Sequence, residues 1–123
     1  MLTVGATVVP AAQRLTDPDA FRLASRHGRR ASSRTLVTHL WIPGGDRPPR
    51  VGFVVSRAVG NAVVRNRVKR RLRHLVRGHL ASLPGSAVLV VRALPPAAAA
   101  SSAELGADLD RCLTSPSLEG RPR

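Results

Sequence analysis

The stretch SRAVGNAVVRNRVKRRLRH (residues 56–74) determines how the chain folds, because it joins a turn, a helix start and a dense run of positive charge. Seven arginines and lysines fall within the thirteen residues from Arg65 to Arg77. Large apolar side chains recur through this run at helical spacing, so they share one side. These positions are Val64, Val68, Leu72 and Leu75, with His79 continuing the same side. The sequence therefore predicts an amphipathic helix that is capped by Asn61 and ends near Pro84.

The charge on this helix has no counterpart nearby in the sequence. No acidic residue lies between Asp46 and Glu104, whereas eleven basic residues do, and the whole chain of 123 residues has a formal charge of +13. A solvated helix face usually mixes signs so that side chains pair, and a disordered basic tail would lack the apolar period. The run therefore indicates an ordered cationic surface for nucleic acid or an anionic membrane.

The flanking segments predict the remaining elements. A first helix begins with Thr16 as its cap and stops at Gly28. Two strands, 34–42 and 50–56, are expected to form a hairpin across a Pro-Gly turn. A third strand follows the basic helix at 86–93, which indicates a βαβ unit.

The last predicted element is a helix that begins with Ser102 as its cap and carries an apolar stripe through Leu105 and Leu109. The order α-β-β-α-β-α predicts an α+β fold: a single-domain αβ sandwich with a central sheet packed by helices, similar to domains of ribosomal proteins. We expect the domain to span 14–114. A loosely ordered extension (1–13) and a flexible tail (115–123) are expected to flank it.

Several function classes are disfavoured by composition. The lone Cys112 cannot form an intramolecular disulfide and is typical of a reducing compartment. No apolar run is long enough to span a bilayer, and the start lacks the basic region of a signal peptide, so we expect a cytoplasmic protein. His74 and His79 are five residues apart, not four as in a helical zinc site. No catalytic residue and no metal-binding residue is predicted in the chain.

The segment VGNAVVRNRVKRRLR (59–73) resembles the RNR signature of the protein subunit of bacterial ribonuclease P. The resemblance extends through RLTDPDAF (14–21), VGFVVSR (51–57) and VLVVRALP (88–95), and covers about residues 14 to 113. It implies an RNA-binding role for the motif positions and their basic neighbours. These residues are Arg57, Asn61, Arg65, Asn66, Arg67, Lys69, Arg70, Arg71 and Arg73.

The resemblance also implies a mechanism in which the protein assists a catalytic RNA. That RNA removes the 5′ leader from precursor tRNA with Mg²⁺ bound mainly by the RNA, so the implied partners are the catalytic RNA and precursor tRNA, without a membrane or a small-molecule substrate. A cleft beside the first helix receives the single-stranded leader, and Phe21, Ser25, Val37 and His39 occupy its positions here. Ser25 and His39 stand where relatives place aromatics, which predicts weaker stacking. A ribosomal or DNA-binding protein without a nuclease role remains the alternative.

Overall fold

Four β-strands and three α-helices make up residues 14–114, the part of the chain that the computed structural model describes. The predicted extension 1–13 and tail 115–123 lie outside these residues. In chain order the elements are α1 (Pro18–His27), β1 (Arg29–Ser32), β2 (Leu36–Trp41), β3 (Arg50–Val54), α2 (Ala62–Leu80), β4 (Val88–Ala93), a 3₁₀ turn (Pro95–Ala98) and α3 (Ser102–Thr114). The predicted α+β class is therefore confirmed, with one additional strand.

The sheet has the order β1-β2-β4-β3. β4 pairs in parallel with β3, and α2 connects them, so the predicted βαβ unit is confirmed. The predicted hairpin between the strands at 34–42 and 50–56 is wrong, because β4 lies between β2 and β3 and pairs antiparallel with β2. Val88 through Val91 are fully buried, and a strand apolar on both faces is stabilised at the centre of a sheet.

The strand that the sequence did not predict is β1, with the sequence RRAS. It pairs antiparallel with β2 at the edge of the sheet, where Arg29 lies opposite Leu40 and Ser32 opposite Val37. Charged residues are typical of edge strands because they discourage pairing with other chains. Because β1 is short and charged and directly follows the end of α1, it has too few apolar residues to be recognised as a strand from the sequence.

The helix caps explain where α1 and α2 begin. Asp17 caps α1, because its Oδ1 accepts a hydrogen bond of 2.9 Å from the Asp19 N–H, so the predicted Thr16 cap is wrong by one residue. Gly28 ends α1 as predicted. Asn61 caps α2 as predicted, since its Oδ1 accepts a hydrogen bond of 2.9 Å from the Val64 N–H.

At the start of α3 the cap is Ser101, not the predicted Ser102. The Ser101 Oγ accepts a hydrogen bond from the Glu104 N–H at 3.1 Å, and a Glu104 carboxylate oxygen accepts one from the Ser101 N–H at 2.8 Å. This reciprocal pair is a capping box, which satisfies two backbone donors at the helix start.

The sheet has a hydrophobic core on each face. The larger core contains the buried sides of α2 and α3, and the smaller one lies under α1. On α2 the residues Val68 and Leu72 are buried as predicted, but the stripe continues through Val76 and Leu80. Leu75 turns toward α3 instead: a Cβ added to Gly106 would lie 3.2 Å from its Cδ2 atom. The predicted stripe thus combined two neighbouring packing faces, one toward the sheet and one toward α3.

Candidate nucleic-acid interface

The outer side of α2 is a continuous cationic surface. At about 100° per residue, the exposed positions on the side away from the buried stripe are Asn66, Arg70, His74 and Arg77. Asn66, Arg70 and Arg77 are exposed, and Lys69 and Arg73 are half-buried beside them. The stems of Lys and Arg can pack along a helix while their charged ends reach solvent. Four predicted RNA-binding residues, at positions 66, 69, 70 and 73, therefore share the outer surface of one helix.

Three further arginines lie on the flanks of α2, where backbone carbonyls hold them. Arg65 Nε donates to the Gly60 carbonyl at 3.2 Å, Arg67 Nη2 to Ala98 at 3.1 Å and Arg71 Nη1 to Ala100 at 3.0 Å. Each guanidinium has five N–H donors, so each of these bonds leaves donors for a phosphate. The sequence predicted these arginines as part of the RNA-binding surface but gave no sign of the carbonyls that fix their orientation.

The carboxylates of α3 pair with groups other than the arginines of α2. Asp110 pairs with His79 at 2.8 Å, and Asp108 lies 3.5 Å from Arg111. Glu104 lies 3.8 Å from Arg34, and its pKa is lowered, chiefly by the hydrogen bond from the Ser101 backbone. Within residues 14–114, the arginines and the lysine of α2 consequently have no carboxylate partner, and their mutual repulsion is uncompensated by the protein.

The turn before α2 carries two more of the predicted RNA-binding residues. Arg57 and Asn61 are both exposed there. A Cβ at Gly60 would lie 2.9 Å from the Cβ of Val64, so the chain can approach the helix this closely only with glycine. Asn61 uses its side-chain oxygen as the helix cap, which leaves its amide NH₂ group as the part that can contact RNA.

The predicted leader cleft corresponds to the sheet face that α1 crosses. Val37 and His39 lie on this face of β2, because residues two apart in a strand point the same way. Both are largely buried, whereas Ser25 of α1 is exposed. Phe21 is half-buried, and its ring lies over Gly52, where an added Cβ would come within 2.7 Å of its Cε1 atom. The structure thus places Val37 and His39 on the sheet face against which Phe21 packs, whereas Ser25 is an exposed residue one turn after Phe21 in α1.

Two arginines on the same face were not predicted from the sequence. Arg30 is the cross-strand partner of His39, and Arg92 is the partner of Val37. The pKa of His39 is lowered, first by burial and then by these two cations. A signal was present in β4, where Arg92 is the charged position in the otherwise apolar strand VLVVRA. The sheet face therefore combines apolar positions with positive charge, which suits a single-stranded nucleic acid.

Among residues 14–114, no group of three or more His, Cys, Asp or Glu side chains is arranged to hold a metal ion. No helix in the same range is long and apolar enough to cross a bilayer.

The mixed sheet is packed on both faces, and the arginine-rich side of α2 faces away from it. These features define a small α+β domain of the RNA-binding class. The Ribonuclease P family profile matches residues 9–116, and the chain belongs to that family. The chain is thus the protein part of an endoribonuclease, as the RNR signature implied, and the ribosomal and DNA-binding alternatives are not favoured.

Relatives agree with this assignment in sequence and in fold. A ribonuclease P protein component from a Nocardioides species is 68% identical over 108 residues, covering 86% of this chain and 92% of that protein. One from Acidothermus cellulolyticus is 51% identical, covering 86% of this chain and 89% of that protein. The solved structure of the RNase P protein from Staphylococcus aureus aligns with a TM-score of 0.76 at 25% identity, over 89% of this chain and 99% of that one.

Proposed function

We propose that this chain binds the catalytic RNA of ribonuclease P through the outer surface of α2 and thereby assists removal of the 5′ leader from precursor tRNA. The observation that carries the proposal is the cationic surface of Lys69, Arg70 and Arg73, which has no carboxylate partner within residues 14–114. Each cation that contacts a phosphate releases condensed counterions from the RNA, which favours binding. The bacterial cytoplasm, where precursor tRNA is processed, is the proposed location.

The chemistry of cleavage belongs to the RNA in this proposal, with Mg²⁺ bound mainly by the RNA. The contribution of the protein is electrostatic. Fixed guanidinium groups, such as that of Arg67 on the Ala98 carbonyl, neutralise phosphates that must approach one another when the catalytic RNA and its substrate assemble. Protein cations therefore replace part of the Mg²⁺ that the RNA alone needs for assembly.

The test is reconstitution of the chain with its cognate catalytic RNA at low Mg²⁺, followed by precursor-tRNA cleavage. The protein should stimulate cleavage strongly at low Mg²⁺ and less at high Mg²⁺. Absence of stimulation at any Mg²⁺ concentration would refute the proposal. Affinity for duplex DNA and for structured RNA at matched salt is the control, and a sequence-dependent preference for the duplex would favour a DNA-binding role.

We further propose that the sheet face under α1 binds the single-stranded leader. Arg92 and Arg30 supply positive charge beside His39, and Phe21 offers the exposed part of its ring at the helix. Arg92→Gln should weaken binding of precursor tRNA with a long leader more than binding of leaderless tRNA. Equal weakening of both substrates would show that Arg92 acts on the tRNA body or on folding instead.

A further inference from the structure

The rings of His27 and Trp41 meet at the end of α1, on the sheet face that this helix crosses. His27 is the last residue of α1, and Trp41 is the last residue of β2. The two ring centroids are 6.5 Å apart, and the ring planes are inclined by 36°. His27 is exposed and Trp41 is half-buried. Neither residue belongs to the RNR signature or to the four positions that the family resemblance assigned to the leader cleft.

Trp41 continues the row of β2 side chains that is proposed to bind the leader. Residues two apart in a strand point the same way, so Trp41 follows His39 on one face, about 6.6 Å further along the strand. Its side chain packs against the hydrophobic core beneath α1, as Phe21 does. A single strand that lies along β2 and passes His39 would therefore meet the Trp41 ring next.

The spacing of the two rings suits an inserted base better than it suits their own contact. Aromatic pairs prefer offset-stacked or edge-to-face geometry, and an inclination of 36° is neither. A base in van der Waals contact with two flanking rings requires centroids about 7 Å apart, twice the contact distance of about 3.5 Å. The observed 6.5 Å is close to this value, and a rotation of the exposed His27 ring makes the two planes parallel.

The charge around the ring pair favours a nucleotide over an apolar ligand. Arg26 directly precedes His27 and is exposed at the end of α1. Arg30 is also exposed and lies opposite His39 in the adjacent strand. Planar rings that are flanked by cations are the arrangement that binds single-stranded nucleic acids, because the rings stack on bases while the cations attract the backbone.

We propose that His27 and Trp41 bind one unpaired nucleobase of the precursor-tRNA leader between their rings. This subsite rests on the proposed binding of the leader to the sheet face and extends that binding beyond His39. It supplies stacking that is missing at Ser25 and His39, where relatives place aromatics. Because every base has a planar face, binding at this subsite depends on the length of the leader more than on its sequence.

The test uses the fluorescence of Trp41, which is the only tryptophan of a chain that has no tyrosine. The holoenzyme, reconstituted with the cognate catalytic RNA, is mixed with precursor tRNAs whose leaders grow by one nucleotide at a time, and emission is recorded before cleavage. Stacking of a base on the indole should quench the emission from a threshold leader length onward.

An abasic nucleotide at the threshold position is the matched control in the substrate, because it keeps the phosphate and removes only the base. It should abolish the quenching. Quenching that persists with the abasic leader, or that is equally strong with leaderless tRNA, would overturn the proposal.

Two variants test the same subsite through affinity. Trp41→Leu should weaken binding of long-leader substrate about tenfold and leave binding of leaderless tRNA unchanged, in the range of one lost stacking contact. Trp41→Phe keeps a planar ring and should recover most of the affinity. His27→Ala changes an exposed residue and keeps Trp41 as the reporter, so it should reduce both the quenching and the affinity without affecting the fold.

Ile42→Thr is the matched control in the protein, because it removes a neighbouring apolar side chain that is 46% exposed and is not part of the ring pair. It should leave the affinity for long-leader substrate within about twofold of the parent. Equal losses for Ile42→Thr and Trp41→Leu would overturn the proposal, as would full affinity in both Trp41→Leu and His27→Ala. Far-UV circular dichroism of each variant verifies that the fold is retained.

Failure of this subsite is distinguishable from failure of the proposed function. If the protein stimulates cleavage and long leaders bind more tightly than leaderless tRNA, yet Trp41 emission does not change, the subsite is refuted and the proposed function stands. If long-leader and leaderless substrates bind equally, leader binding by the sheet face is refuted and the subsite with it.

Discussion

Gly52 shows how one residue without a side chain positions a candidate leader-binding ring. Phe21 lies over it so closely that an added Cβ would come within 2.7 Å of the ring Cε1 and 3.1 Å of the Leu15 Cβ. The ring is therefore half-buried against the sheet, and only its remaining surface is open to a nucleobase. Phe21 contributes to the core as well as to the cleft, which is why truncating it would not report on leader binding alone.

We predict that Gly52→Ala lowers the free energy of unfolding by about 1–3 kcal/mol, because the new methyl group overpacks the space beneath Phe21. Gly78→Ala is the matched control. Gly78 lies within α2 with open space where the Cβ would be, so the same substitution should stabilise the chain by about 0.5–1 kcal/mol. Urea denaturation measures both changes. A neutral or stabilising Gly52→Ala would show that Phe21 does not rest on the sheet.

His39 should make stability depend on pH. Its pKa is lowered in the folded chain by burial and by Arg92 and Arg30, so the unfolded chain takes up a proton first as pH falls. The stability contributed by the neutral imidazole is present above about pH 6.5 and declines below it, by at most about 1.4 kcal/mol per pH unit, until the lower folded-state pKa is reached.

The measurement is urea denaturation at about pH 7.5 and about pH 5.5, on either side of the ordinary histidine pKa, for the parent chain and for His39→Asn. The parent should lose more stability than the variant on acidification, because asparagine does not titrate. Equal decreases would mean that His39 is protonated as readily in the folded chain as in the unfolded one.

Among the secondary-structure elements, α3 is tied to the sheet by a buried carboxylate. Asp108 Oδ2 accepts a 3.2 Å hydrogen bond from the Thr35 N–H and a second from its hydroxyl at 2.5 Å, directly before β2. The Thr35 hydroxyl is the main cause of the lowered pKa of Asp108. This link joins α3 to the residue that precedes β2, so it contributes to the packing of α3 against the sheet.

We predict that Asp108→Asn lowers the free energy of unfolding by about 1–3 kcal/mol at neutral pH, because it replaces an anionic acceptor of two buried donors. Since the folded-state pKa of Asp108 is lowered, its contribution is present above about pH 4 and is lost as the pH falls through that lower value. Denaturation of the parent and the variant from neutral pH down to about pH 3 should show the difference between them shrinking. A constant difference across that range would exclude a role for the charge.

The elements that the sequence predicted are those with local signals. Asn61 as a cap and the amphipathic character of α2 require only neighbouring residues; the cap is confirmed, and Val68 and Leu72 of the predicted stripe are buried. The turn at 43–49 suggested that β2 and β3 are neighbours, but β4 lies between them. This strand order depends on the burial of both faces of β4, which is not a local property of the turn. The sequence predicted that Arg71 belongs to the basic surface. It could not predict the fixed orientation of the Arg71 guanidinium, because the Ala100 carbonyl that holds it is 29 residues away.

At the scale of the whole domain, positive charge is concentrated on α2 and negative charge on α3. The helix α2 carries seven arginines and lysines and no acidic residue, whereas α3 carries three acidic residues, Glu104, Asp108 and Asp110. These acids are engaged by Ser101, Thr35 and His79 respectively. The sequence predicted the excess of positive charge, but the fold was needed to show that the acids of α3 leave it unneutralised.

RNA binding through α2 is best tested by the salt dependence of affinity for the cognate catalytic RNA. The triple variant Lys69→Gln/Arg70→Gln/Arg73→Gln removes three cations from the outer surface of α2, and the control Arg47→Gln removes one exposed cation from the loop between β2 and β3. The slope of log K against log salt concentration should fall by up to about 0.9 for each phosphate that is no longer neutralised.

We predict that the triple variant lowers this slope by about two to three units, because each of its three cations neutralises a phosphate, and that Arg47→Gln leaves the slope unchanged. Titrations of the parent and both variants across a series of salt concentrations give the three slopes. A triple variant with the slope of the parent would contradict RNA binding through the outer surface of α2.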